Sequence, residues 1–421
     1  MHKILIINTP GLYNRGGMAA VMGALEGLGL RATSPTIEFL THHYDDYCRR
    51  LSSSIDTSKV IFTRHSWLKT HKFLPLSVGH TVLAVTIAFF KCKLVKAGIL
   101  NPTFSPYFNC DIILDMNIDS LHDNYGIFHP LWTLANISLG LFAGKPVVVW
   151  GAGIGKFNNP IIKAIARRVL NKVTLICCRE ANSMTLLKTI GVTKPKIVVT
   201  ADHAFLLNPA PRAHINSIIL REFPYLNGKP LVGISPSQMI HRFGHMKQAG
   251  YITAMAGFAE HLIARYDVNV LFVPHVIAPN DDDRVLSVAI RREIMQPERV
   301  AVLAGDYDAA ELKGIIGQCE MFIGCRMHTT IAATSMGVPT ISVVYGNKSQ
   351  GIIGDMMGQA SYIVEIEDLN ARQLAEKLCE KTADAWLKRD TIRGDLKKRQ
   401  TTVRFQALLN VQSVVDLLNT L

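Results

Sequence analysis

Short apolar runs rich in β-branched residues alternate with stretches of helical spacing along almost the whole chain. Before residue 206 the runs expected as strands are 3–8, 111–115, 146–150, 174–178 and 196–200, and segments 18–28 and 159–170 carry apolar residues at helical intervals. After residue 229 the alternation repeats, with strands expected at 230–234, 269–274, 300–303, 321–323, 339–344 and 362–365 and helices such as 309–318 and 329–336. Strands that are apolar throughout, rather than at every second position, are buried on both faces, so the pattern predicts parallel sheets covered by helices on either side. The expected fold class is α/β, with two doubly wound, Rossmann-like domains facing a cleft. Pro, Asn and Gly concentrate between 206 and 229, which places the domains at 1–210 and 225–395 and leaves a helical tail, 396–421, to pack across both. Doubly wound sheets bind ligands at the carboxyl ends of their strands, and candidate chemistry is sought there.

Composition narrows the picture. A chain of 421 residues exceeds the roughly 250–300 residues at which a single core usually splits, and 48% apolar residues suffice to fill two cores. The net charge of +12 favours an anionic partner, yet the basic residues are scattered and accompany no zinc-finger, RNP or basic-helix pattern, so nucleic acid is not expected. The eight cysteines have no CxxC spacing and mostly lie in apolar runs, as in a reducing cytoplasm. Residues 1–10 read as a first strand rather than a signal peptide. Segment 81–90 is uninterrupted apolar residues and Thr between lysines at 69, 72, 91, 93 and 96. It is too short for a membrane-spanning helix, which needs about 20 residues. A buried core helix is one reading; the other is peripheral contact of residues 69–96 with anionic lipid, on the inner face of a membrane.

The strongest local signal lies at 324–341. Arg326 and His328 follow the strand 321–323 and open a helix, so they sit where backbone N–H groups and the helix dipole favour an anion. Arg supplies a fork for a carboxylate or phosphate, and His titrates near neutral pH, which suits proton transfer. Lys348 ends the next strand on the same sheet edge, and Arg179 ends an apolar strand in the first half, so one arginine from each domain is placed to hold a multiply charged anion. His275 also lies at a strand tip. Gly151, Gly153 and Gly155 form GxGxG between strand and helix; this differs from a dinucleotide fingerprint and reads either as close backbone approach to a ligand or as a tight turn. Asn14-Arg15-Gly16-Gly17 carries the same ambiguity. Asp115, Asn117, Asp119, His122 and Asp123 cluster after a strand, where they position sugar hydroxyls, act as a base or make a hydrogen-bonded turn. Asp281-Asp282-Asp283 resembles a metal-binding run but directly precedes a helix, which favours N-capping.

Taken in order, AsnArgGlyGlyMetAla at 14–19, the segment from Asp115 to the Gly at 126, GlyAlaGlyIleGly with Phe157, CysArgGlu at 178–180, AlaAspHisAlaPhe at 201–205 and CysArgMetHisThrThr with Lys348 resemble the polysaccharide pyruvyltransferase family. The resemblance implies a GT-B-like fold, phosphoenolpyruvate as donor co-substrate and no other cofactor, and a ketal pyruvate on a saccharide acceptor, free or lipid-linked. It carries donor-binding and catalytic roles to Arg179, Arg326, His328 and Lys348; Asp119, Asn14, Gly153 and His275, by their places in loops and at strand ends, are expected as further substrate contacts. No metal is demanded, since cationic side chains neutralise the leaving phosphate. Gly17 stands where the family commonly has Asp, which puts acceptor chemistry in question. Two other readings remain: a GT-B glycosyltransferase using a nucleotide sugar, and a non-catalytic, membrane-associated subunit of a polysaccharide assembly complex.

Overall fold

A computed structural model describes residues 2–31, 35–51, 59–65, 104–124, 126–225, 228–244, 246–345 and 350–421. The segment at 81–90 and Lys348 lie outside them. The chain divides into two compact units: Met1–Leu12, Leu25–Asp202 and Gln406–Leu421 form the first, and Tyr13–Ala24 with His203–Phe405 the second.

The first unit contains a seven-stranded parallel sheet. In chain order its strands are β1 (Lys3–Ile7), β2 (Thr36–Thr41), β3 (Val60–Arg64), β4 (Ile112–Asp115), β5 (Val147–Ala152), β6 (Leu175–Cys178) and β7 (Lys196–Val199), arranged β3-β2-β1-β4-β5-β6-β7. The order reverses between β1 and β4, the switch point at which such sheets take their ligands. Residues of β4, β5 and β6 are buried throughout, which accounts for their unbroken apolar runs. A core of Ile113, Val147, Val149, Ile176 and Leu187 forms on the face covered by helices Phe128–Phe142, Pro160–Leu170 and Ala181–Thr189. Asn159 starts the second of these by accepting from the Ile161 and Ile162 amides, with Pro160 at the first helical position.

The second unit holds six parallel strands: β8 (Leu231–Ser235), β9 (Asn269–Phe272), β12 (Val300–Val302), β13 (Met321–Gly324), β14 (Thr340–Val344) and β15 (Ile363–Glu365), in the order β12-β9-β8-β13-β14-β15. Between β9 and β12 a small antiparallel hairpin, β10 (Ile277–Ala278) and β11 (Asp281–Asp282), leads into the helix Asp283–Arg292. The switch point here lies between β8 and β13, the strand that Arg326 follows.

Two segments depart from the domains expected along the chain. Residues 13–24 were expected with the N-terminal half but belong to the second unit, because the Tyr13 carbonyl accepts from the Ile277 amide, Asn14 bridges Val276, and Arg15 bonds the Tyr307 carbonyl. The tail divides as well. In the helix Arg389–Leu418, Arg389 and Arg393 pair with Glu320 and Arg404 bonds the Phe205 and Leu206 carbonyls, all in the second unit. The helix beyond residue 405 belongs to the first unit, where buried Asn410 bonds Thr200 Oγ1 and the Ala201 carbonyl at 2.8 Å each and its own carbonyl accepts from Trp150 Nε1 at 3.0 Å. Substituting Asn410 by Ala leaves the Ala201 carbonyl without that amide. The expected loss is about 1–3 kcal/mol, read as a lower denaturant midpoint for the transition that quenches Trp150.

Candidate functional site

Each unit gathers its sequence-predicted residues at the carboxyl ends of its own strands. In the second unit Arg326 is the N-cap of the helix Met327–Ser335. Its Nη2 donates to Asp283 Oδ1 at 2.7 Å and Asp281 Oδ1 at 2.9 Å, and its Nε reaches Asp283 Oδ2 at 3.2 Å. Burial opposes the charge on Arg326, but Asp283 and Asp281 overcome it and hold the guanidinium cationic. Nε and Nη2 are thus turned toward carboxylates, and Nη1 makes no hydrogen bond among the described residues. The acidic run has two functions. Asp282 caps the helix Asp283–Arg292 by accepting from the Arg284 amide, and its neighbours orient Arg326; among the described residues no cluster of side chains suits a metal ion.

His328 follows in the same helical turn. Its ring lies against Gly16: a Cβ on Gly16 would stand 2.5 Å from His328 Cγ and 2.9 Å from its Cβ, and would also overlap Nδ1. Any side chain at position 16 therefore displaces the imidazole. Asn14, itself exposed, accepts from the Gly16 amide at 3.0 Å and shapes that turn. Arg15 is fully buried, ion-paired to Asp306, with Nε on the Tyr307 carbonyl at 2.7 Å. Its amide donates to the His275 carbonyl at 3.0 Å. His275, 4% exposed, has its backbone amide 3.3 Å from Asp283 Oδ2. Burial pushes its ring well below the usual histidine range, and His328, Arg326 and Arg15 act in the same direction, so the imidazole is neutral. Asn14, His275, Arg326 and His328 accordingly form one group built around Asp283.

In the first unit Arg179 follows β6 and is fully buried. Asp202 Oδ2 lies 3.0 Å from Nη1, Glu180 Oε2 3.4 Å from Nε and Asp119 Oδ1 3.7 Å from Nη2. Burial disfavours its charge; Asp119, Asp202 and Glu180 together outweigh burial. The guanidinium rests on Gly153, where a Cβ would stand 2.7 Å from Nη2 and 2.8 Å from Nε. Gly153 thus approaches Arg179, a protein group in place of the ligand expected for a glycine loop. Beside it, at the switch point, Asp115 receives Asn8 Nδ2 at 2.8 Å and Asn117 Nδ2 at 2.5 Å. Asn8 and Ile118 have φ of 53° and 56°, strain that proteins retain mostly at functional positions. Burial pushes the Asp115 carboxyl up to about 7 against those two donors.

Sequence reasoning singled out the cations and, of their carboxylate partners, only Asp119 as a site residue. Asp202 and Glu180 were visible only as parts of landmark strings, and Asp281 and Asp283 only as a cap or metal run. The rule that a buried guanidinium requires a carboxylate points to both sets once Arg179 and Arg326 are placed at strand ends.

Residues 14–347 match the family described as polysaccharide pyruvyl transferase. The chain belongs to that family. The pyruvyl transferase match opens on Asn14 and encloses Asp119, Gly153, Arg179, His275, Arg326 and His328. A relative, the amylovoran biosynthesis protein AmsJ of Erwinia amylovora, is 22% identical over 370 residues, spanning 83% of this chain and 85% of its own. Solved structures similar in fold include MnaA of S. aureus with UDP (TM-score 0.62, 13% identity, 100% of this chain and 98% of that one). UDP-GlcNAc 2-epimerase of Neisseria meningitidis bound to UDP-GlcNAc gives TM-score 0.61 at 12% identity, over 98% and 99% of the two chains. Anabaena HepE in complex with UDP and glucose gives 0.59 at 13%, over 100% of both. At such identities the likeness is one of architecture, two Rossmann-like domains of GT-B type.

Two outcomes follow for this pyruvyl transferase. Gly16→Ala pushes the His328 ring aside; turnover is expected to fall about 10²-fold while the thermal melt shows the fold retained. Asp115 keeps in the folded state a proton that the unfolded chain releases near its ordinary value of 3.8. Its contribution is therefore greatest at low pH and declines from about pH 4 to about 7, by up to about 1.4 kcal/mol per pH unit. Urea midpoints of wild type and Asp115→Asn between pH 5 and 7 are expected to show the smaller slope in the variant.

Proposed function

We propose that the chain is a phosphoenolpyruvate-dependent pyruvyltransferase that places pyruvate as a ketal on a saccharide during cell-surface or extracellular polysaccharide synthesis, with the acceptor free or lipid-linked. The observation that carries this reading is the pairing, in one helical turn, of an imidazole fixed against Gly16 with a guanidinium whose Nε and Nη2 edge is held by Asp283 and Asp281. An arginine oriented in that way presents a fixed charge to an anion, and a fixed imidazole beside it is a proton donor of defined direction. The family membership and the amylovoran biosynthesis named for the Erwinia relative agree with this choice.

In the proposed reaction Arg326, with Lys348 as a further cation, binds phosphate and carboxylate of the donor, and Arg179 is a further substrate-binding cation. His328 gives a proton to the methylene carbon, the C2 centre becomes electrophilic, and a sugar hydroxyl adds there. The C2–O bond to phosphate breaks, and a second hydroxyl closes the ketal. The two hydroxyl protons are accounted for by the new methyl group and the released phosphate, so His328 ends the cycle protonated again. Asp119 is the proposed acceptor-side contact and Asn14 a further substrate contact, whereas Gly153 makes room for Arg179. Arg179 already has three carboxylates about it, so its part requires that the substrate compete with Asp119, the most exposed of them at 33%.

The competing reading is a nucleotide-sugar transferase, favoured by the UDP present in several structures of like fold. Thermal shifts separate the two. Phosphoenolpyruvate at about 100 times its dissociation constant stabilises by about 2.7 kcal/mol, and UDP is expected to leave the melt unchanged; the reverse result rejects the pyruvyl reading. His328→Ala is expected to abolish phosphate release while retaining the phosphoenolpyruvate shift, and loss of both would make His328 a binding group only.

A further inference from the structure

His275 is a buried polar group whose ring nitrogens the described residues leave unsatisfied. Its backbone is fixed on both sides, the amide toward Asp283 and the carbonyl by the Arg15 amide. Its ring is enclosed, and neither Nδ1 nor Nε2 has a hydrogen-bond partner among the described residues. A buried donor and acceptor left unsatisfied are strongly disfavoured, so the position calls for a partner that arrives. The ring lines a small cavity together with His328, Lys313 and the apolar residues Ala19, Leu207 and Leu312. That cavity leaves about 10 Å³ for the centre of a water, room for about one such molecule. The two imidazoles therefore face one confined space, and a phosphoenolpyruvate molecule does not fit within it.

We propose that His275 is a positioning residue for His328: a neutral imidazole whose ring nitrogen accepts, through one water in the shared cavity, a hydrogen bond from protonated His328, and so favours the proton-carrying form of the catalytic ring. This rests on the pyruvyl-transfer reading for its chemical purpose, since a general acid must hold its proton until the methylene carbon takes it. Other titratable or charged groups about the pair are Arg326 from the start of the helix Met327–Ser335, Arg15 from the helix Arg15–Arg31 and Lys313 from the helix Ala309–Ile316, with Asp281 and Asp283 both engaged by Arg326. Burial, with Arg326 and Arg15, disfavours a positive charge on His275, which stays a neutral acceptor.

The test is a pH titration of the His328 ring by NMR in the full-length chain labelled at histidine, with the signal assigned by its loss in His328→Gln. Replacing His275 by Phe or by Ala removes the acceptor, and either variant that folds serves. The His328 titration is expected to move about one pH unit lower, and the alkaline limb of kcat/KM to move with it, since the acid form is lost as pH rises. His275→Asn, whose amide oxygen accepts a hydrogen bond, is expected to restore most of the shift. An unmoved His328 titration in the Phe and Ala variants overturns the proposal. So does a rise in KM alone, which would make His275 a direct donor contact. The titration requires no substrate: absence of pyruvyl transfer by the wild type would reject the reaction assigned above, while the histidine coupling would still stand or fall on its own measurement.

Discussion

Asp283, a carboxylate with no exposure to solvent, is the constraint from which the second unit's site follows. Its two oxygens take Nε and Nη2 of Arg326 and the amides of His275 and Val276, and its residue begins the helix Asp283–Arg292. A charge so placed is tolerable only when paired and hydrogen-bonded on every side, and here the pairing fixes three things at once: the direction of the guanidinium, the backbone beneath the neighbouring imidazole, and the strand ends that carry both. The positions of Arg326, His275 and, through Arg15, the first loop are consequences of satisfying one acid.

The first unit meets the same problem in another way. Arg179 is enclosed by Asp202, Glu180 and Asp119, with Gly153 removing the side chain that would otherwise occupy its place. One cation among three carboxylates gives a locally acidic strand edge, in contrast to the overall +12 of the chain. The positive charge is thus carried mostly elsewhere, by residues such as the arginines of the tail that bond Glu320 and the carbonyls of 205 and 206. Net charge therefore says little about either strand edge until it is read residue by residue.

Much of the architecture was legible because parallel strands buried on both faces must be apolar throughout. That condition marked β4, β5, β6, β8, β9, β13 and β14 within a residue or two. The strands β2 and β3 were not anticipated: β3 is half exposed along its length, and TIEFLT in β2 places a Glu between apolar residues, where Lys3 and Thr63 satisfy it. The site was legible as strand-end cations because Arg and His after an apolar run have few other places to point. The carboxylates that orient them come from distant segments, and nothing in local periodicity pairs residue 326 with 283. Nor does spacing reveal that a loop near the start of the chain packs with residues near 276, 306 and 328, since that depends on which backbone groups remain to be bonded after the sheets form.

The separation of residues 13–24 from the half of the chain in which they are encoded bears on how such proteins can be rearranged. A recombination joint near residue 205 looks like the natural seam of the sequence, yet a hybrid made there would match the histidine of one parent with the backing glycine of the other. A swap of halves between relatives would therefore preserve that contact only where this twelve-residue insert travels with the C-terminal portion, or where both parents shape it alike.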